Sequence, residues 1–278
     1  MKLSLEQLST LAAAIGLTVL FGMESILPAA GGRRHRWQHA ARNLALGGFS
    51  SIAVKMLVGG VLTSVMFWAE STGVGLLRII SLPPAVTMVA AILLFDAWMY
   101  LWHRANHQFS FLWRFHRVHH SDPEMDASTA IRFHAGEFLL STLLRLAVIP
   151  LLGISVSQLL VYETLLLPVI LFHHSNVRFP EPMDRCVRLL IVTPAIHRVH
   201  HSRLRLETDS NYSSIFSFWD RLAGTFRLRQ SARPVNFGLD EYDGTWQRFS
   251  NLLLMPFTTS QNRTSILKGF SKLISRWV

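Results

Sequence analysis

Three apolar stretches in this sequence are long enough to cross a bilayer as single helices. They cover roughly residues 8–27, 44–68 and 84–102, and a helix needs about 20 apolar residues to span the hydrocarbon core. Two shorter apolar stretches, 138–152 and 156–172, are separated only by Gly153-Ile154-Ser155. They predict a tight helical hairpin that enters the bilayer and returns to the same side. The chain is therefore expected to fold in a membrane.

The composition supports this interpretation. Half of the 278 residues are hydrophobic, 16% are charged and the mean hydropathy is +0.30, which is unusual for a soluble domain. No linker-like segment divides the chain, so we predict an all-α integral membrane helical bundle with a cytoplasmic helical lobe. The N-terminal stretch is expected to be retained as a membrane segment. The single cysteine, Cys186, excludes an intrachain disulfide and a cysteine-based metal site.

The distribution of arginine predicts the orientation. Arginine-rich loops tend to face the cytoplasm, and the net charge of +10 fits attraction to anionic headgroups, with no nucleic-acid partner expected. The loop 69–83 has few basic residues and should be outside, whereas the polar segments that begin at His103 and His173 should be cytoplasmic. The basic residues predicted to lie between the first two spans are Arg33, Arg34, Arg36 and Arg42.

The sequence His-Arg-Val-His-His-Ser occurs twice, at 116–121 and 197–202. A further pair, His103 and His107, precedes the first copy, and eleven of the thirteen histidines lie between 103 and 201. Imidazole is the commonest side-chain ligand of transition metals. The predicted topology places this whole region on one face of the membrane, so the pattern predicts a metal site there.

The number and spacing of these histidines favour two metals. His103 and His107 are spaced i, i+4, and each repeat offers an i, i+3 pair on one helix face with a third imidazole about 100° further round. Eight histidines are about twice what one zinc site uses, and two further residues, His134 and His174, are predicted as additional ligands. The predicted metal ligands are His103, His107, His116, His119, His120, His134, His174, His197, His200 and His201.

Several acidic residues are candidates for orienting the metal ligands. Asp96 lies inside the third span, and an intramembrane acid suggests a functional site. We predict that Asp96 accepts a hydrogen bond from a metal-binding histidine or lies beside Arg104; a helix–helix hydrogen bond is the structural alternative. Weaker candidates for orienting the ligands are Glu137, Asp122, Asp126, Asp209 and Asp220.

Three histidines and a group of aromatic residues are interpreted structurally. His35 and His39 lie in the basic loop near the membrane, where they are expected to be core or surface residues, and His173 is expected to be structural. An interfacial aromatic belt is favoured over an electron path for Trp98, Tyr100, Trp102 and Trp113.

The ordered motifs resemble the fatty acid hydroxylase/sterol desaturase superfamily over roughly residues 84–225. One departure is Ile170, where some lipid hydroxylases carry a second histidine four residues before the equivalent of His174. The motifs are Asp96 to His107, Arg114 to Asp122, Arg132-Phe-His134 with Glu137, His174 to Arg178, Thr193 to Ser202, Asn211-Tyr and Trp219 to Thr225.

The resemblance implies a membrane-bound non-haem di-iron oxidoreductase that uses O₂ to hydroxylate or desaturate a lipid. Zinc can replace iron during purification. No flavin or nicotinamide motif is visible, so electrons should come from a cytochrome b5- or ferredoxin-type donor. The lipid stays open among sterols, fatty acyl chains, sphingoid bases, carotenoids and alkylglycerols.

The expected organisation has three parts: a transmembrane region at 1–83, a catalytic domain at 84–225 and a cytoplasmic or membrane-surface tail at 226–278. Three alternatives stay open. One is an acyl-CoA desaturase, which has a similar arrangement of histidine boxes. A zinc-dependent membrane hydrolase would need a carboxylate base in a box, as in H-E-x-x-H. The third is a non-catalytic metal-binding membrane protein.

Overall fold

The structure, a computed structural model, describes residues 4–31, 35–229, 235–242 and 244–258. Within these ranges the chain is helical, with two isolated β-bridges and no strand. The first eight helices are α1 (Leu5–Ile26), α2 (Arg36–Val54), α3 (Gly60–Thr72), α4 (Leu76–Ile79), α5 (Pro84–Gln108), α6 (Ser110–His120), α7 (Ala135–Leu152) and α8 (Val156–His174). The later helices are shorter: α9 (Glu181–Val187), α10 (Pro194–His200), α11 (Arg205–Thr208), α12 (Phe218–Leu222) and α13 (Phe249–Leu254).

Five helical segments are long and apolar enough to cross a membrane: Gln7–Ile26, Arg36–Ile79, Pro84–Gln108, Ala135–Leu152 and Val156–His174. The prediction of a multi-pass helical membrane protein is confirmed. The helix that contains the second span begins at Arg36, eight residues before the apolar stretch that starts at residue 44. A π-helical turn, Lys55–Gly59, joins α2 to α3 without a break. The run is about 55 Å long, so it extends well beyond a bilayer of about 30 Å.

The first turns of α2 belong to the polar lobe. Arg36 donates to the buried Glu24 carboxylate at 2.7 Å, and Asn43 is fully buried. Because these residues are polar, the hydropathy pattern does not reveal that the helix starts at Arg36. Arg33 and Arg34 lie outside the described residues.

The predicted hairpin is present as α7 and α8. Gly153 ends α7 in the left-handed conformation (φ 75°) and Ser155 caps α8. The loop before α4 packs tightly against this turn, since a Cβ added at Gly75 would lie 2.2 Å from the Gly153 Cα. The hairpin returns the chain to the end where α7 began, so His134 and His174 flank one end of the bundle.

Two buried clusters hold the fold together. The larger lies among the membrane helices and includes Phe95 of α5 and Tyr162 of α8, whose rings meet edge to face at 4.9 Å. The smaller lies in the lobe, where Val118 of α6 packs against Leu252 and Met255. The segment 249–257 belongs to the tail predicted to be cytoplasmic or to lie on the membrane surface, and it places Leu252 and Met255 in the protein interior.

The contact of α2 with the 3₁₀ segment Ala127–Ile131 gives a first prediction. A Cβ added at Gly47 would lie 2.1 Å from the Ile131 carbonyl oxygen, whereas one added at Gly48 meets nothing within 4 Å. Gly47→Ala should therefore destabilise the protein by about 1–3 kcal/mol or more through overpacking. Thermal unfolding in detergent measures the effect. Gly48→Ala is the control and should match or exceed wild type, because alanine favours helix; equal stability of both variants would contradict the packing argument.

Candidate metal centre

Nine imidazoles gather at the lobe end of the bundle in two groups. Within each group the candidate ligand atoms lie within 4.8 Å of one another. The first group is His103, His107, His116, His120 and His200. The second group is His119, His174, His197 and His201. Nine of the ten predicted ligands are thus brought together.

Four helices supply these side chains. The end of α5 carries His103 and His107, the end of α8 carries His174, and α6 and α10 with its C-cap carry the two repeats. In α6 the i, i+4 pair His116 and His120 joins the first group, whereas His119 joins the second. The α10 region does the reverse: His197 and His201 join the second group and His200 joins the first. Each repeat therefore contributes imidazoles to both groups, and the residues that share a group within a repeat are spaced i, i+4.

The ring nitrogens of the first group fit a bound cation. Nε2 of His103, His116, His120 and His200 and both nitrogens of His107 are buried and make no hydrogen bond within the described residues. Buried polar atoms without a partner cost about 1–3 kcal/mol each. Five such imidazoles pointing at one point are explained by a metal that accepts their lone pairs.

The ring nitrogens of the second group also lack a complete set of hydrogen-bond partners. Nε2 of His174 lies 3.1 Å from Nε2 of His119 and 3.0 Å from Nε2 of His197. In a neutral imidazole each ring nitrogen either donates one N–H or accepts through one lone pair. The His174 Nε2 therefore cannot make a full hydrogen bond to both neighbouring nitrogens. The convergence of these atoms also fits a metal between them.

Burial keeps five of the clustered imidazoles neutral. Desolvation and the neighbouring imidazoles hold the pKa of His119, His120, His197 and His201 well below the usual range. Burial also lowers the pKa of His200 to about 3. Neutral imidazole is the metal-binding form, so these residues are ready to bind a metal at physiological pH.

Several ligands are oriented by acceptors on the other ring nitrogen, as is usual for metal-bound histidine. Nδ1 of His103 lies 2.8 Å from the Tyr212 carbonyl oxygen, and Nδ1 of His200 lies 2.7 Å from that of Ser210. Nδ1 of His174 lies 2.7 Å from the Ile170 carbonyl oxygen. Donation from Nδ1 leaves the Nε2 lone pair for the metal. At Ile170, the departure noted in the sequence, the backbone thus orients His174.

One carboxylate also orients a ligand. Glu137, at the start of α7, accepts from Nδ1 of His116 at 2.8 Å, and both side chains are buried. Glu137 was one of the weaker candidates for this role. Asp209 is more distant, with an oxygen 3.4 Å from Nδ1 of His107.

The loop that supplies Ser210 and Tyr212 is held by a second set of contacts. Asn211 has φ 55°, a left-handed conformation that asparagine tolerates, and its side chain bonds the backbone of Ile196 and Arg227. Asp220 accepts from the backbone N–H groups of Tyr212 and Ser213. These contacts place two carbonyl oxygens against two ligands, a role that the sequence did not reveal.

Asp96 does not have the predicted contacts. Its carboxylate is fully buried and accepts from Tyr162, the backbone N–H groups of Ile215 and Phe216, and the indole N–H of Trp219. No histidine and no Arg104 contact is among its hydrogen bonds. Asp96 therefore joins α5 to α8 and to the loop before α12, which matches the structural alternative.

Two other histidines near the site lie outside both groups. His134 is the N-cap of α7: its Nδ1 accepts from the Gly136 N–H at 2.9 Å, and its Nε2 lies 3.2 Å from the Leu253 carbonyl oxygen. His173 is buried and stacks on the His197 ring at 3.9 Å. The structure does not bring His134 to the other predicted ligands.

His39 has a larger role than the sequence suggested. It is buried in α2, with Nε2 2.7 Å from Asp122 and Nδ1 3.1 Å from Asp126. Burial alone would raise the pKa of Asp122, but His39 and Arg132 beside it hold that pKa well below its usual range. This network connects α2 to the segment that follows the first histidine repeat. The predicted position of His39 in a loop beside the headgroups is wrong.

A cavity of about 440 Å³ lies beside the two groups, among the membrane helices. Its lining includes His103, His116, His119, His174 and His197 together with apolar side chains such as Phe133 and Leu166. A separate recess is lined by His107, Trp113 and three arginines. The Trp113 ring lies 5.0 Å from the His107 ring, so Trp113 packs on the metal centre.

The comparisons with known proteins agree with this geometry. The family model for fatty acid hydroxylase matches residues 88–225, the region that contains all nine imidazoles. This chain belongs to the fatty acid hydroxylase/sterol desaturase superfamily. The predicted family is confirmed, and so is a helical membrane fold that carries a cluster of histidines.

The curated relatives include lipid-modifying enzymes. An ornithine lipid hydroxylase of Rhizobium tropici is 30% identical over 69% of this chain and 56% of its own. An alkylglycerol monooxygenase of Danio rerio is 32% identical over 56% of this chain and 33% of its own. A cholesterol 25-hydroxylase of Rattus norvegicus is 27% identical over 54% of this chain and 50% of its own. The chain thus spans between a third and rather more than half of these relatives, and no solved structure matches it.

The contact between Glu137 and His116 gives a second prediction. Glu137→Gln should fold and insert but lower metal affinity by about 10–100-fold, because the amide is a weaker acceptor than a carboxylate for the ligand's N–H. Metal content measured against a graded chelator tests this. Glu70→Gln, which disrupts an ion pair with Arg78 away from the imidazoles, is the control and should retain wild-type affinity. If both variants bind metal equally well, Glu137 does not tune the ligand.

Proposed function

We propose that this protein is a membrane-bound di-iron hydroxylase that uses O₂ to oxidise a lipid. One observation carries the proposal: two adjacent all-imidazole groups border a cavity between apolar membrane helices. Five and four imidazoles suit two first-row metals with positions left for other ligands. The hydroxylases and monooxygenases among the relatives support this reaction type.

Two irons, when bound, would supply oxygen activation and oxidation of an unactivated C–H bond. The chain's own residues hold and orient these metals: nine imidazoles supply lone pairs, and Glu137 with the 210–212 loop orients three of the rings. Side chains such as Phe133 and Leu166 keep the cavity apolar, which excludes water and accommodates a lipid. Asp96 takes no part in the chemistry in this proposal, and His134 serves as a helix cap.

The reaction also requires a route for the lipid and a source of electrons. We propose that the lipid enters from the bilayer and that the metal centre faces the cytoplasm, as the arginine-rich segments suggest. An external cytochrome b5- or ferredoxin-type protein would supply electrons. The recess lined by Trp113 and His107 borders the candidate metal centre and is distinct from the apolar cavity, so we propose it as the site for that donor.

Metal analysis and turnover test the proposal together. Protein purified under reducing, anaerobic conditions should bind about two irons per chain and consume O₂ only with a reductant and a lipid. Lipid extracts from a deletion strain and its parent should differ by a product with one additional oxygen atom. Desaturation would instead appear as a loss of two hydrogens.

Other results of these measurements would contradict the proposed function. Zinc that cannot be replaced by iron, with no redox activity, would contradict the proposal and favour a hydrolase or a non-catalytic metal protein. Neither the four- nor the five-imidazole group contains a carboxylate among the described residues, and neither histidine repeat has the H-E-x-x-H arrangement of a zinc hydrolase.

A further inference from the structure

The cavity beside the metal centre contains an ion pair well inside the membrane region. Arg145 lies ten residues after the start of α7 and Glu163 eleven residues before the end of α8, and both line the cavity. Nη1 of Arg145 is 3.3 Å from Oε1 of Glu163. Both helices begin or end at the metal centre, so the pair lies roughly 15 Å into the bundle.

The guanidinium is incompletely satisfied by the protein. Nη2 contacts the Met99 sulfur at 3.7 Å, which is a weak acceptor, and Cζ lies 5.4 Å from the Phe95 ring centre. Nε is buried and makes no hydrogen bond within the described part of the chain. Arginine has five N–H donors, so this one retains donors that a ligand in the cavity can use.

Such a pair is costly if its only role is structural. Charged side chains within a membrane span are disfavoured by several kcal/mol and usually mark a site. Hydrophobic residues of similar volume can often replace an ion pair without loss of stability. The position of the pair on the cavity wall suggests a binding role.

We propose that Arg145 and Glu163 bind the polar group of the lipid substrate, an inference that rests on the proposed function. The guanidinium donates hydrogen bonds and the carboxylate accepts them, so the pair suits a group that does both. Hydroxyl and amide groups meet this requirement. A free carboxylate would be repelled by Glu163 and an ammonium by Arg145. The substrate class is therefore a neutral hydroxyl- or amide-containing lipid.

The location of the pair also restricts which carbon of the lipid can be oxidised. Met99, which contacts Arg145, precedes the metal ligand His103 by one helical turn. The guanidinium therefore lies roughly 10 Å from the His103 ring, from that contact and a rise of about 5.4 Å per turn. The carbon that is oxidised should be a short distance along the chain from the polar group, rather than at the far end of a long acyl chain.

Binding of a matched lipid series tests the inference on the full, metal-loaded protein without O₂ or reductant. The probes are hexadecanol, hexadecanamide, hexadecanoate, hexadecylamine and hexadecane, followed by tryptophan fluorescence, since Trp102 lines the cavity. Wild type should bind the alcohol and the amide at least about tenfold tighter than the other three. Glu163→Gln should shift the preference toward hexadecanoate, and Arg145→Gln toward hexadecylamine, each by about tenfold or more.

The control is Glu70→Gln, which alters the ion pair between the exposed Glu70 and Arg78 and should keep the wild-type ranking. If the single variants do not fold, the exchanged double variant Arg145→Glu/Glu163→Arg is used, and it should restore the ranking. An unchanged ranking in both single variants, or hexadecane binding as tightly as hexadecanol, would overturn the inference. Because no turnover is needed, absent oxygenase activity with the expected ranking counts against the proposed function alone.

Discussion

Replacing any one of the eight box histidines by alanine should abolish turnover. Each variant removes one lone pair from a group of four or five imidazoles, and loss of a ligand or its immediate support typically lowers metal affinity by at least about 10–100-fold. Oxygen activation requires both metals, so loss of either group is sufficient. Metal content and lipid oxidation are measured on the same preparations. The variants concern His103, His107, His116, His119, His120, His197, His200 and His201.

The structure extends this prediction to His174 and separates it from two other histidines. His174→Ala should behave like the eight, because its Nε2 lies between those of His119 and His197. His134→Ala should keep its metal and lose only about 1 kcal/mol of stability, the usual cost of removing an N-cap. His35→Ala, at an exposed position, is the control and should resemble wild type. A box variant with full metal content and activity would remove that residue from the ligand set.

The membrane helices were predictable because their signal is local. A run of about 20 apolar residues is sufficient evidence for a span, and the short connection Gly153-Ile154-Ser155 predicted the hairpin correctly. The start of α2 was not predictable in this way. Its first turns carry Arg36, His39 and Asn43, which look like a loop until their partners in the lobe are known.

The clustering of the histidines was predictable, but their division into two groups was not. Spacing within a repeat fixes which imidazoles share a helix face, whereas their distribution between two metals depends on how α6 and α10 are rotated toward each other. That rotation is a tertiary property. The pairing of His39 with Asp122 and Asp126 joins residues more than eighty positions apart, and no local pattern contains it.

The Arg145–Glu163 pair is a different case. Two opposite charges in the two arms of an apolar hairpin are visible in the sequence, and intramembrane charges deserve a functional hypothesis. The functional hypothesis drawn from the sequence concerned Asp96 alone. In the structure, protein donors satisfy the Asp96 carboxylate. Arg145, in contrast, lines the cavity and has a buried Nε without a hydrogen bond within the described residues.

Asp96→Asn should therefore impair folding rather than chemistry. Each carboxylate oxygen accepts two hydrogen bonds: Oδ1 from Tyr162 and Ile215, and Oδ2 from Phe216 and Trp219. An asparagine side chain has one oxygen and an NH₂ group, so two of the four donors would face another donor. Leaving buried donors unsatisfied costs about 1–3 kcal/mol each, and the lost charge weakens the other two bonds.

The measurement must separate stability from metal binding. The melting temperature and the yield of monodisperse protein should fall sharply in Asp96→Asn, whereas iron per folded chain should stay at the wild-type value, because no metal ligand hydrogen-bonds to Asp96. Asp240→Asn, at an exposed ion pair with Arg203, is the matched control and should change neither quantity. A variant that melts like wild type but loses its metal would restore the direct role first predicted for Asp96. The loop between Tyr212 and Trp219 connects Asp96 to the candidate metal centre, since Asp96 bonds one end of the loop and His103 contacts the other. A partial loss of metal confined to partly unfolded protein would thus follow from release of that loop.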